Sequence, residues 1–530
     1  MFLFYNGVIH TMDSAHRNPD LVVVDEYSGR IRTVGRLDLR VTMPPLRRVD
    51  LEGRTLLPGF NDAHVHLWKL GLLLTVQVDA RRAAAPDIAA IASAFRKRAQ
   101  SVPAGTWLTG RGYNEVDLPE KRHPTRYDLD AVSSDHPIAL TRTCGHMIVA
   151  NSLALHLAGI SAETPDPPGG VIVRDESGEP TGLLQETATG LLTRVIPPYD
   201  DDTMSRAIQA AMAHQLRLGI TSATDPLLAP EHMRVYRALD AADALPMRVN
   251  GFPIRRPDGG TETYPLPEKH DSPYLRIDTV KFFADGGLSG ATAAVSQPYK
   301  VTGEMGVLRF ETDDMRALMW EAHNAGFRIA THAIGDVALE QVISIYESLH
   351  VRKPNTGLRH RIEHVGLPTA DHLRRMRAID SIAVPQTVFI QALGTSFRRY
   401  LPDDLLSRCY PVRALLTAGL TIALSSDAPV VPDDNPLLGI KAAVDRFDAL
   451  GESIAPDQAI TPYEALYAYT MGGAIASGDA DNRGSITPGK WADLIVLNGD
   501  PLREAAIAPE RLLDIRVDQV YVGGQLVYEL

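Results

Sequence analysis

Pro58-Gly59-Phe60-Asn61-Asp62-Ala63-His64-Val65-His66 follows an apolar run, Thr55 to Leu57, and ends in two histidines one residue apart. On a strand, residues i and i+2 face the same side, so His64 and His66 would offer two imidazoles to one ion. Neutral imidazole is a common metal ligand, and zinc accepts it readily. A bare His-x-His arises by chance in many proteins. Its weight here comes from the flanking Pro-Gly-Phe-x-Asp and from what lies farther along the chain.

Downstream, strand-like and helix-like segments alternate, the pattern of a parallel sheet. The strand candidates are Thr55 to His66, Ile220 to Thr224, Met247 to Phe252 and Thr279 to Ala284, then Arg328 to His332, Arg359 to His364, Ser381 to Pro385 and Leu420 to Ser426. Apolar residues at three- and four-residue spacing predict helices over 202–218, 230–242, 312–325, 337–350, 370–378 and 403–418. This is the strand count of a (β/α)₈ TIM barrel. A doubly wound open sheet is the alternative, weakened because no Gly-x-Gly-x-x-Gly follows an early strand.

Two regions fall outside a minimal barrel. The interval from about 74 to 201 is too long for one crossover and reads as an inserted subdomain after the first barrel strand, holding both helix-like and strand-like pieces. Short β runs with Asn6-Gly7, Ser28-Gly29 and Gly523-Gly524 turns mark both ends of the chain. Neither end has enough strands to stand alone, so residues 1–57 and 481–530 are expected to join in one small β-sandwich, with the barrel spanning 58–480. Two separate terminal hairpins are the alternative.

Bulk properties narrow the function. A net charge of −12 over 530 residues argues against nucleic acid or an anionic membrane as partner. No apolar run reaches transmembrane length, and the first residues lack a basic region and cleavage site, so a cytoplasmic protein acting on a small molecule is expected. Only Cys144 and Cys409 occur, neither in a CxxC, which excludes a disulfide framework.

In a barrel, groups at the C-terminal ends of the strands converge on one site. There stand His64 and His66, Lys281, His332, His364 and Asp427. Singly, each has an ordinary explanation. His332 could be a satisfied core histidine, His364 could bond to backbone, Lys281 could pair with Asp285, and Asp427 could cap the turn after Ser426. Jointly, four imidazoles, a lysine and a carboxylate, each at the end of a predicted strand, point to a metal centre.

Pro58-Gly-Phe-x-Asp-x-His-x-His66, Lys281-x-x-x-Asp-Gly286, Thr331-His-Ala-x-Gly-Asp336, Arg361-Ile-Glu-His364 and Ser426-Asp-Ala-Pro429 resemble, in order, the motifs of the amidohydrolase superfamily. With Asn6-Gly-Val-Ile-x-Thr-Met-Asp13, Gly145-His-x-x-x-x-Asn-Ser-x-Ala-Leu155 and the segment from Gly484 to Val496, the resemblance is to its branch of YtcJ-like proteins and N-substituted formamide deformylases. It implies a distorted barrel with one or two divalent ions at its mouth, zinc being the expected metal. His64, His66 and Asp427 would hold one ion, and His332 and His364 the other. Lys281 would carry carbon dioxide as a carbamate bridging the two. Homodimers are common under this resemblance.

The implied reaction is hydrolysis of an amide-type carbon–nitrogen bond by metal-activated hydroxide, with Asp427 accepting and returning the proton. An N-substituted formamide or N-acyl compound is the substrate class suggested. Tyr113 and His146 in the insertion, and Gln386 after the seventh strand, are candidate substrate contacts. The 286–290 segment, Gly-Gly-Leu-Ser-Gly, reads as a mobile loop over the site. A heterocycle deaminase is the alternative, disfavoured by Lys281, which single-metal relatives lack. A non-catalytic scaffold would be expected to have lost ligands, and none is missing.

Overall fold

The apolar run before the two histidines divides between two sheets. In the computed structural model, which describes residues 1–36, 47–256, 262–354 and 356–530, Thr55–Pro58 pairs antiparallel with Leu494–Leu497 near the C-terminus. Phe60–Asp62 then starts a different, parallel sheet against Ile220–Leu228. Gly59 makes the crossing possible, because a Cβ there would lie 2.1 Å from Thr221 Oγ1. The single strand expected from Thr55 to His66 is therefore two, and both histidines lie beyond the second one's end.

Among the described residues, eight parallel strands follow the barrel order: Phe60–Asp62, Ile220–Leu228, Arg248–Pro253, Thr279–Phe283, Arg328–Ala333, Arg361–His364, Ile382–Val384 and Thr421–Ile422. Their ladders form two sheets, linked on one side by a bridge between Ile254 and Lys281. On the other side the Ala63 N–H donates to Leu424 O at 3.4 Å and the Asp427 N–H to His64 O at 2.7 Å. Most of these strands are buried along their length, as a parallel sheet covered on both faces requires. The last is the shortest, so Leu420 to Ser426 is mostly irregular backbone.

The covering helices include Asp201–Arg217, Pro230–Ala241, Thr312–Asn324, Asp336–Arg352 and Ala370–Ala378, within two residues of the sequence expectation. Asp200 caps the first, accepting from the Thr203 N–H at 2.7 Å, so the acidic run there is a helix start. The helix expected over 403–418 is two short ones, Asp403–Leu406 and Val412–Thr417. Pro411 lacks an amide and restricts the residue before it, and Tyr410 adopts φ 48°. The sequence reasoning did not mark Val388–Tyr400, a helix whose apolar residues Val388, Leu393 and Phe397 are buried.

The insertion builds its own mixed six-stranded sheet, running in space from Gly170–Arg174 through Pro180–Glu186, Met147–Ala150, Ile138–Arg142 and Leu108–Tyr113 to Val78–Asp79. The chain ends meet in a sandwich. Phe2, Phe4, Val22, Val24 and Ile31 from one end share a core with Leu494, Val496 and Tyr521 from the other.

Barrel and sandwich are joined by a buried ion pair. Arg248 donates from Nε and Nη2 to both oxygens of Asp493 at 2.7 and 2.9 Å, and its guanidinium lies 4.5 Å from the Trp491 ring centroid. Breaking one side of such a pair strands the other charge in a dry interface, at a cost of about 3–5 kcal/mol. Arg248→Met is expected to lower the denaturant midpoint by an amount matching that loss. An unchanged midpoint would show that this contact does not hold the sandwich to the barrel.

Candidate metal centre

His64 and His66 occupy the turn between the first barrel strand and the helix Leu67–Thr75. Asp62 shapes that turn. Its carboxylate accepts from the His64 N–H at 3.1 Å and from the Ser426 N–H and Oγ at 3.1 and 2.6 Å, stitching the end of the first strand to the end of the eighth. Burial pushes the Asp62 carboxyl up to about 7, against the pull of these donors. The two imidazoles reach the same carboxylate by way of this turn rather than by strand alternation. His66 Nε2 is 3.1 Å and His64 Nε2 3.5 Å from Asp427 Oδ1.

The sixth and fifth strands bring His364 and His332 to the same place. Ring centroids are 5.0 Å apart for His64 and His364 and 4.4 Å for His332 and His364. One donor atom from each of His64, His364 and Asp427 lies within 4.8 Å of the others. That trio takes a member from each of the two ligand sets implied by the resemblance, so the sets are contiguous.

Hydrogen bonding behind the rings fixes which nitrogen of each can bind a cation. Pro226 O, at 3.1 Å, can only accept, so His66 Nδ1 carries the proton and Nε2 does not. His64 Nδ1 faces Glu363 Oε2 at 2.5 Å, with the same result. His364 Nδ1 faces Gln386 Oε1 at 2.6 Å, and the Gln386 amide nitrogen donates to Val384 O and Ser425 Oγ, which makes that oxygen an acceptor. His332 Nε2 faces Gly286 O at 2.9 Å, leaving Nδ1. One nitrogen lone pair on each ring therefore remains free, those of His64 and His66 face Asp427 Oδ1, and that buried oxygen has no hydrogen-bond donor among the described residues. Lone pairs facing one another across about 3 Å repel unless a cation lies between them. The residues present fit a divalent metal.

Electrostatics agrees. Burial lowers the proton affinity of all four rings, to about 3 for His66 and for His364, so they are neutral ligands. Burial alone would raise the Asp427 carboxyl, and positive charge among the surrounding rings outweighs it and draws it below the usual carboxylate range. The backbone is strained where the ligands leave their strands, with φ 73° at His364 and 59° at Asp427. Asp427 is not the turn cap. Ser426 Oγ takes that part, accepting from the Ala428 N–H at 3.0 Å.

Lys281 is wholly buried on the fourth strand, its Nζ 4.8 Å from the Phe283 ring centroid. Asp285 is occupied otherwise, accepting from the N–H groups of Ala294, Ile334 and Gly335. Of the three candidate substrate contacts, His146 lies beside the site, its ring 5.8 Å from that of His332 and its Nδ1 3.0 Å from Glu186. Gln386 is fully buried behind His364, and Tyr113 lies in the insertion core with its hydroxyl 3.1 Å from His123 Nδ1. The 286–290 segment is not an exposed lid. Leu288–Gly290 forms a 3₁₀ turn with Leu288 and Ser289 buried, and Arg142 donates to Ser289 O at 3.1 Å. Sequence reasoning missed Glu363, although it stands next to His364 inside the quoted Arg-Ile-Glu-His, where a buried acid beside a ligand is the available signal.

A family model described as the amidohydrolase family matches residues 47–528. The putative amidohydrolase YtcJ of Bacillus subtilis is 32% identical, covering 99% of both chains. The N-substituted formamide deformylase of Arthrobacter pascens is 30% identical over 99% of this chain and 98% of its own. Among solved structures, an uncharacterized metal-dependent hydrolase from Pyrococcus horikoshii superposes with a TM-score of 0.74 at 26% identity, covering 94% of this chain and 98% of that one.

Glu363 is held by Arg361, whose Nε and Nη2 reach its two oxygens at 2.8 and 2.9 Å, and it in turn orients His64. Glu363→Gln keeps the size but weakens the acceptor behind His64. Metal affinity is expected to fall about 10- to 100-fold, as for other outer partners of ligating histidines, in a competition titration with a chromogenic chelator. Unchanged affinity would mean that Glu363 only balances Arg361.

Proposed function

This chain belongs to the amidohydrolase family, and from that premise we propose that it is a metal-dependent hydrolase cleaving a carbon–nitrogen bond of amide type in a small molecule. The gathering of His64, His66 and His364 around the Asp427 carboxylate, whose buried Oδ1 has no donor among the described residues, with His332 packed against His364, carries this reading. One or two divalent ions fit the donor set, and zinc suits its mixture of imidazole and carboxylate. When bound, such an ion acidifies water and polarises a carbonyl.

The chain's own groups do the rest. His64, His66, His332 and His364 hold the ion or ions, each locked by the partner behind it. Asp427, ionised and buried beside the reacting centre, accepts the proton that the attacking water gives up and returns it to the leaving nitrogen. His146, on the insertion and next to His332, would contact the substrate carbonyl. Lys281 would serve as a further ligand: its deprotonated amine would add carbon dioxide, one C=O π bond giving way to the new N–C bond and a proton leaving to solvent, and the resulting carbamate would offer two anionic oxygens. The relative from Arthrobacter pascens makes N-substituted formamides the first compounds to test. The experiment is a hydrolysis screen of N-formyl, N-acyl and cyclic amides with metal-replete protein. A carboxylic acid and an amine as products support the reading, whereas ammonia released from a heterocycle contradicts it.

Asp427→Asn is expected to fold, since Asn tolerates the left-handed backbone at this position, and to retain metal through its carboxamide oxygen. It cannot take a proton, so turnover should drop at least about 10²-fold at metal saturation. Near-normal turnover would remove Asp427 from the mechanism. Lys281→Ala should be almost inactive and regain part of its activity with formate or propionate, which can enter the vacated space and supply two oxygens. Absence of rescue in a variant that still folds would contradict the carbamate.

A further inference from the structure

Between the insertion sheet and the barrel lies a cavity of about 870 Å³, ample for a small organic molecule. One wall is a sheet face. Thr109 and Arg111 alternate along Leu108–Tyr113, paired in register with Ala139 and Thr141 of the next strand, and all four line the space. The facing wall includes Trp68 stacked on His232, with ring centroids 4.2 Å apart. Burial lowers His232 to about 4, so it is neutral.

Arg111 is the exception in this wall. It is 6% exposed, its Nε has no hydrogen-bond partner, and no carboxylate forms an ion pair with it among the described residues. The other charged groups lining the cavity, Lys69, Arg194, Glu231 and Glu262, are partly or fully exposed at its rim and include both signs. A dry guanidinium without a counter-ion is costly, and its planar fork matches a carboxylate. Gly145 lies against it, since a Cβ there would be 3.0 Å from Arg111 Nη2. The flanking Cys144 and His146 line the smaller cavity that contains His332, His364 and Asp427. One short loop therefore separates the guanidinium from the metal ligands, and the Asp427 charge is felt at Arg111.

We propose that Arg111 anchors an anionic group of the substrate, so that the preferred amides carry a carboxylate and an apolar side chain, as N-acylated amino acids do. Arg111 would form a bidentate ion pair with the carboxylate, the apolar group would pack against Trp68, and the amide would reach past Gly145 to the metal centre. This rests on the amide-hydrolase reading of that centre.

The test compares N-formylphenylalanine with its neutral C-terminal amide on metal-loaded protein, by calorimetric binding and by steady-state kinetics. Wild type is expected to bind the carboxylate at least tenfold more tightly and to favour it in kcat/KM. Arg111→Gln should abolish that preference, and Arg111→Lys should retain part of it. Equal wild-type affinities for the two compounds, or a preference that survives in Arg111→Gln, would overturn the proposal. If Arg111→Gln does not fold, the wild-type comparison decides alone. Because binding is read without turnover, tight carboxylate binding with no hydrolysis would support Arg111 while contradicting the hydrolase reading.

Discussion

Closure of the barrel at one seam sets up the site. The last strand ends against the turn that follows the first, where Asp427 donates its N–H to His64 O at 2.7 Å and Ser426 gives both N–H and Oγ to Asp62. These bonds force the chain through a left-handed residue at Asp427 and aim its carboxylate at the nitrogens of His64 and His66. Without the seam, His64 and Asp427, more than three hundred and fifty residues apart in sequence, would not meet. Asp62 is conspicuous in the sequence motif for this reason. It binds backbone and a hydroxyl, and takes no part among the facing lone pairs.

The second constraint is dryness. Each of the four histidine rings is buried, and burial favours the neutral imidazoles. Every ring has a protein acceptor at its other nitrogen: Glu363, the Pro226 carbonyl, Gln386 and the Gly286 carbonyl. Rotating any ring to relieve the crowded lone pairs would forfeit that bond, so the donor set is preorganised for a cation. The insertion completes the enclosure by bringing His146 beside His332 and by presenting a sheet face, with Arg111 on it, to the adjoining cavity.

Much of this was legible in the sequence. Six ligand candidates could be picked out because strand ends in a barrel share one face, and because histidine, lysine and aspartate are uncommon there for packing reasons alone. The joined β-sandwich followed from strand-poor termini. What escaped had physical causes. Gly59 lets the chain change sheets within one residue, so a continuous apolar run read as one strand. Pro411 broke a helix that periodicity alone continued. Glu363 and the Pro226 carbonyl act from behind the ligands, and their parts depend on which acceptor each ring faces, a relation between distant segments that spacing does not encode. Arg111 stands in an ordinary strand, and its lack of an ion pair among the described residues exists only in three dimensions.

Metal dependence is the claim on which the rest turns. The direct measurement is to strip the protein with a chelator, return zinc or cobalt in defined equivalents, and follow bound metal and amide hydrolysis together. Activity absent from the stripped protein and rising in step with metal, to saturation at one or two ions per chain, is the predicted result. Hydrolysis that persists in fully stripped protein, or saturating metal that binds without involving His64 and Asp427, would contradict it.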